Sequence, residues 1–269
     1  MSTQSDSGSF DEKMRIFAIS DIHIDFDENR RWLYNLSQSD YKEDILILAG
    51  DVTDMTSLLA KAFQELAIRF SKVLYVVGNH DLWVMRDNNA KDSLGKFLMI
   101  KTIARDCGIC MEPSHFGPLS VVPLFGWYDY SYGQPSDEIL RQWSDYFLCK
   151  WPDDFDEARI TSYFVSMNEA FLTVRNQTVI SFSHFLPRTD LMPNYIPPDK
   201  RRLYPVLGTS LLEGQIRRLA SNIHIYGHSH VNTRVFKDNI LYINNAFGYP
   251  HETRITAKQL HCVLTIDNS

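Results

Sequence analysis

Residues 45–54 read ILILAGDVTD, and this stretch decides the fold. Its first five residues are a continuous apolar run. Such a run fits a strand buried on both faces of a sheet. The run breaks at Gly50, and carboxylates follow at Asp51 and Asp54. A buried strand that ends in acids suits an α/β sheet, where ligands gather at the carboxyl ends of the strands.

The pattern continues on both sides. Residues 14–19 (MRIFAI) and 73–77 (VLYVV) read as strands. Residues 28–37 carry Trp32, Leu33 and Leu36 at helical spacing, and residues 56–70 carry Leu59, Phe63, Leu66 and Phe70. Residues 92–106 fit a third helix. This βαβαβ order predicts parallel strands with helices packed on the sheet. The regularity stops after Pro123. Residues 127–164 hold eleven aromatics in 38 positions, and 137–157 hold seven acids against two bases. That concentration marks an insertion, part loop and part helix. It reads first as a lid, with Trp127, Tyr128 and Asp129 nearest the site. A separate apolar cluster and a dimer surface are the other readings.

Regular structure then resumes. A helix is expected at 157–175, a strand at 178–182 and a proline-rich loop at 187–205. A helix follows at 209–220, with Thr209 or Ser210 as N-cap and Glu213 placed for a capping box. Residues 222–226 read as a strand. Strands at 231–236, 240–243 and 260–266 have hairpin spacing, with Asp238-Asn239 as one turn.

Composition bounds the function. Of 269 residues, 44% are apolar and 22% charged, which excludes a disordered chain. The net charge of −6 argues against nucleic acid as the partner. No run reaches the roughly 18 apolar residues of a membrane helix. Residues 1–12 read as a disordered leader without signal-peptide features, and 13–269 as a single domain. Cys107 and Cys110 form a lone CxxC, which reads as two reduced thiols rather than a zinc site. The expected location is the cytoplasm. Oligomeric state is not legible.

The chemistry lies at the strand ends. They run into Asp21-Ile22-His23, Gly50-Asp51, Gly78-Asn79-His80-Asp81, Ser183-His184 and Gly227-His228-Ser229-His230. Each cluster alone is common by chance. Five together deliver oxygen and nitrogen donors to one edge. Imidazole and carboxylate without thiolate favour Mn²⁺, Fe or Zn²⁺. Seven candidate ligands are too many for one ion that keeps a position open for water. They suit two ions about 3.5–4 Å apart that share a carboxylate.

The series D-x-H, GD-x-x-D, GNHD, SH, GHxH resembles the calcineurin-like metallophosphoesterase superfamily. It runs from Asp21 to His230 with no ligand missing. The resemblance implies an αββα sandwich, two mixed β-sheets flanked by helices, with a dimetal site at the strand ends. It implies one ion on Asp21, His23, Asp51 and His230, and another on Asp51, Asn79, His184 and His228. A bridging hydroxide would attack phosphorus in line. His80 would protonate the leaving oxygen, and Asp81 would hold the His80 ring. The ions are expected to be Mn²⁺ first, with Fe or Zn²⁺ as alternatives. Met55 stands where calcineurin-like protein phosphatases carry arginine. Asp54 stands where purple acid phosphatases carry tyrosine, and those enzymes lack the histidine found here as His23. Both subfamilies are therefore disfavoured.

The expected function is hydrolysis of a small-molecule phosphoester, as phosphodiesterase or phosphomonoesterase. A nuclease and a catalytically silent scaffold are the rivals. Asp54 could orient a ligand or cap the helix at 56–70. Arg188 could clamp a phosphate, or lie on the surface. Tyr249 or His251 could touch substrate. His224 reads as structural, and Lys200-Arg201-Arg202 as a solvated face.

Overall fold

A computed structural model describes residues 13–87 and 89–267 of the chain. The expected leader, 1–12, lies outside the described residues. Two mixed sheets form the centre. The first takes β1 (Lys13–Ile19), β2 (Ile45–Ala49), β3 (Lys72–Val76) and β10 (His261–Asp267), in the order β10-β1-β2-β3. The second takes β4 (Ser114–Phe116), β5 (Leu119–Pro123), β6 (Thr178–Phe182), β7 (Ile223–Tyr226), β8 (Thr233–Lys237) and β9 (Ile240–Asn244), in the order β4-β5-β6-β7-β9-β8.

All five residues of β2 are buried, as its unbroken apolar run requires. It pairs in parallel with β1 and β3. In the second sheet β5, β6, β7 and β9 are parallel. Antiparallel strands β4, β8 and β10 close three of the four sheet edges. One expectation fails here: β8 and β9 form the hairpin at Asp238-Asn239, but β10 leaves them and pairs antiparallel with β1. The free edge of β1 carries N–H and C=O groups that need a partner, and β10 supplies it.

Helices α1 (Asp27–Tyr34), α2 (Thr56–Ala67) and α3 (Ser93–Asp106) connect the first strands. The insertion forms α4 (Asp137–Gln142), α5 (Asp145–Leu148) and α6 (Glu157–Met167). The expected helix at 157–175 ends early, at Met167. There the buried Asn168 turns its amide onto the backbone of Phe125 and onto Gln215. Helix α7 (Ser210–Arg218) begins at Thr209, whose hydroxyl accepts from Leu211 N–H at 3.2 Å. Glu213 does not complete a capping box. It pairs with Arg217 and Arg188 and accepts from the Tyr242 hydroxyl. Asp54 does not cap α2 either; Asp87 accepts from Thr56 N–H at 2.7 Å. One contiguous apolar core runs through both sheets and takes in Trp127, Tyr128, Ile139, Ile160 and Phe164 of the insertion. No described helix is long and apolar enough to cross a membrane.

Candidate metal centre

The parallel strands point their carboxyl ends to one edge, and the turns after β1, β2, β3, β6 and β7 meet there. Asp21, His23, Asp51, His228 and His230 all take positive φ, between 45° and 65°. Nine non-glycine residues do so among those described, and five are here. Backbone strain concentrated in this way accompanies functional sites. Glycine lets the turns close. A Cβ on Gly78 would stand 2.1 Å from Asp51 Oδ1, and one on Gly227 would stand 2.6 Å from Asp21 Oδ2.

The donors fall into two groups. Asp21, His23 and His230 form one, and Asp51, His184 and His228 the other. The resemblance implied Asp51 in both sets; here it lies with His184 and His228, and with His23 and His80. A third grouping, His23, Asp51 and His80, bridges them. In the first group His230 Nε2 lies 3.2 Å from Asp21 Oδ1 and 3.1 Å from His23 Nε2. In the second, His184 Nε2 lies 3.1 Å from Asn79 Oδ1, 3.2 Å from His228 Nδ1 and 3.5 Å from Asp51 Oδ2.

Outer contacts fix which atom of each ring faces inward. His184 Nδ1 donates to Ala49 O at 2.9 Å, and His228 Nε2 donates to Val206 O at 3.0 Å. His230 Nδ1 donates to Glu252 Oε2 at 2.6 Å. Asn79 Nδ2 donates to Asp145 Oδ1 at 2.8 Å, so Asn79 Oδ1 faces inward. The inner atoms of His184, His228 and Asn79 are then all acceptors, with His184 Nε2 a little over 3 Å from each of the other two and no proton between them. Acceptors in that arrangement call for a cation. The donor set therefore fits a metal pair.

The electrostatics of the second group agree. Burial pushes His184 and His228 down to about 4, so both rings are neutral at pH 7 and can ligate. Burial also opposes charge on His230, but Asp21 and Glu252 on either side outweigh it and raise the ring to about 9. Burial, then Asp81, then Asp21, hold Asp51 well above the usual carboxylate range. A carboxylate so placed gains most from a cation.

His80 stands at the open side. Its backbone N–H donates to Asp51 Oδ1 at 2.9 Å, and its Nε2 lies 3.8 Å from Asp51 Oδ2. The ring stacks on Trp83 with centroids 3.6 Å apart, and its Nε2 lies 3.5 Å from the Tyr249 hydroxyl. A cleft of about 440 Å³ opens here, lined by His23, Asp25, Phe26, His80, Trp83, Arg86, Leu148 and Tyr249.

The structure corrects several expectations. Asp81 does not hold the His80 ring. Its carboxylate accepts from the backbone N–H groups of Asp51, Val52, Thr53 and Gly78 and from the Tyr75 hydroxyl, at 2.7–3.2 Å. With five donors filled, it staples the two loops together. Trp127 and Tyr128 do not line the cleft; each is 1% exposed in the core. Asp129 accepts from the Thr209 hydroxyl. Asp54 carries Arg86, through Nε at 2.5 Å and Nη2 at 2.6 Å. Arg188 lies in another recess, paired with Asp190, Glu213 and Asp238. His224 is structural, held between Ser181 and Ser183.

Sequence reasoning missed Glu252, Arg86 and Asp145. Glu252 had a weak signal, in the same loop as Tyr249 and His251. Asp145 had none, because its partner Asn79 is 66 residues away.

The chain resembles proteins of known kind. A curated relative, an acyl-carrier-protein phosphodiesterase, PptH, of Mycobacterium tuberculosis, is 26% identical over 89% of this chain and 79% of its own length. The crystal structure of phosphopantetheinyl hydrolase (PptH) from that organism superposes with a TM-score of 0.79. That match covers 94% of this chain and 96% of the other, at 24% identity. The family model described as calcineurin-like phosphoesterase matches residues 14–232. The chain therefore belongs to the calcineurin-like phosphoesterase family, and is a metal-dependent phosphoester hydrolase.

Proposed function

We propose that this protein hydrolyses a phosphodiester whose one substituent is a phosphopantetheine-type arm and whose other is a protein hydroxyl. The carrying observation is the double group of bare acceptors around Asp51, with His80 beside it at the cleft. Asp21, His23, Asp51 and His230 would hold one divalent ion. Asp51, Asn79, His184 and His228 would hold the other. Mn²⁺ is the expected metal, ahead of Fe and Zn²⁺. Such a pair, when bound, supplies an activated water and neutralises charge that develops on the phosphoryl oxygens.

The chain's own residues do the rest. His80 presents Nε2 to the cleft and would deliver a proton to the leaving oxygen. Trp83 stacks on its ring, and the Asp51 carboxylate accepts from its backbone N–H. Tyr249 stacks on His23 with centroids 4.6 Å apart and walls the same space. Leu148, from the insertion, forms the facing wall. The 127–164 segment thus acts as a fixed wall of the cleft within the 13–269 domain, more than as a lid.

Charge favours a diester over a monoester. Arg86 is the one cation among the cleft-lining residues, and it is already engaged by Asp54 and Asp25. Beyond the two ions, a dianionic monoester would find no free side-chain cation among the cleft-lining residues to hold its second charge. The name of the curated relative supports the arm and the protein partner. Four free cysteines suit a cytoplasmic setting.

The test uses metal-stripped protein reloaded with Mn²⁺. It is given a phosphopantetheinylated carrier protein, a bis-nitrophenyl diester and a nitrophenyl monoester. Mass spectrometry should show the carrier losing its arm, and the diester should outpace the monoester. A carrier left intact, or a preference for the monoester, would overturn the proposal.

A further inference from the structure

Asp145 is a carboxylate of the insertion that is only 2% exposed. Among the described residues no cation forms an ion pair with it. Oδ1 accepts from Asn79 Nδ2 at 2.8 Å and from Trp83 Nε1 at 2.7 Å. Oδ2 accepts from Trp143 Nε1 at 2.8 Å. A buried carboxylate is costly, and neutral donors alone leave its charge uncompensated. What it does there must lie with the groups that donate to it.

The use follows from Asn79. An asparagine amide presents either its oxygen or its NH₂ to a given side, and the two faces are nearly alike in shape. Only the oxygen can join the acceptors of His184 and His228. A neighbour that can only accept forces the NH₂ outward and the oxygen inward. Asp145 is such a neighbour. The two indole N–H groups hold it still: Trp83 is stacked on His80, and Trp143 lies edge-on to His228 with centroids 5.9 Å apart. The backbone ties the unit down, since Val84 N–H donates to Leu148 O at 2.8 Å.

We propose that Asp145 is a positioning residue for the second metal: it locks the Asn79 amide with its oxygen inward, and so sets the affinity of the ion on Asn79, His184 and His228. The assignment rests on the dimetal reading of the site. It gives the acidic insertion a part in metal binding that its position in the sequence does not suggest. Support of this kind, one residue behind a ligand, is typically worth about 10–100-fold in metal affinity.

The experiment is Mn²⁺ binding to the metal-stripped full chain, by equilibrium dialysis. Wild type should bind two ions. Asp145→Asn should keep the ion on Asp21, His23 and His230 and bind the second about 10–100-fold more weakly. The exchanged pair, Asn79→Asp with Asp145→Asn, restores a donor facing an acceptor. It should bind the second ion more tightly than Asn79→Asp alone, which carries the same ligand charge with no donor behind it. If Asp145→Asn does not fold, the exchanged pair carries the test and should hold the second ion within about tenfold of wild type. Two ions at wild-type affinity in Asp145→Asn, or an exchanged pair no tighter than Asn79→Asp alone, overturns the role of Asp145. Fewer than two ions in wild type overturns the dimetal reading and this proposal together.

Discussion

The strand-end turns and the 127–164 insertion meet around one site, yet they are built by opposite rules. The turns are short, glycine-bearing and strained, with five candidate ligands at positive φ. Their donors point inward and are contiguous with the strands that carry them. The insertion is long and aromatic, and its helices are short. It gives the site one wall residue, Leu148, and one buried carboxylate, Asp145. The difference teaches that donors come from the rigid sheet, while their aim is set partly from outside it.

That division can be broken by experiment. The largest effect is expected at Asp51, which stands in two of the three donor groups. Asp51→Asn should weaken both ions together, read by metal content after dialysis, where Asp145→Asn weakens one. Two tightly held ions in Asp51→Asn would contradict the shared role. His80→Ala should keep both ions and lower turnover by about 10²–10⁴-fold, the range of a general acid. Wild-type rates on a diester with a poor leaving group would remove that role.

Glu252 tests whether support also comes from within the strand-end side. Its carboxylate holds His230 Nδ1 at 2.6 Å and accepts from Tyr249 N–H at 2.8 Å. Glu252→Gln should weaken the ion on His230 by about 10–100-fold and leave the other unchanged. Calorimetric titration of the two ions separates these outcomes.

A smaller effect concerns pH. Burial alone lowers His224 to about 3. The neutral ring is favoured in the folded state, so its contribution is full above the unfolded value near 6.5. It is lost as pH falls toward 3, at up to about 1.4 kcal/mol per pH unit. His224→Gln should flatten the fall of denaturation midpoint between pH 6 and pH 3 relative to wild type. Equal slopes would mean that the ring is not buried neutral. The smallest effect is expected at Arg188, which is tied to three carboxylates away from the cleft. Arg188→Ala should leave kcat/KM within about twofold, since surface ion pairs contribute little. A large fall in kcat/KM would return it to the site.

The sequence by itself determined eight of the ten strands and placed seven candidate donors at strand ends; it left β4 and β5 unmarked. The reason is local: a buried strand must be apolar, and the turn after it carries whatever the edge exposes. ILILA at 45–49 is strand β2 to the residue, and TVISF at 178–182 is β6. Only the tertiary structure decided what stands behind each donor. Asp81 was expected on the ring of its neighbour, yet backbone N–H groups from two loops captured it. Strand β10 was expected in a hairpin, yet the free edge of β1 was a better partner. Asp145 finds Asn79, Trp83 and Trp143 only once the insertion has packed against the sheet. Satisfying a buried polar group is a property of the whole fold, because its partners come from wherever the chain happens to pass.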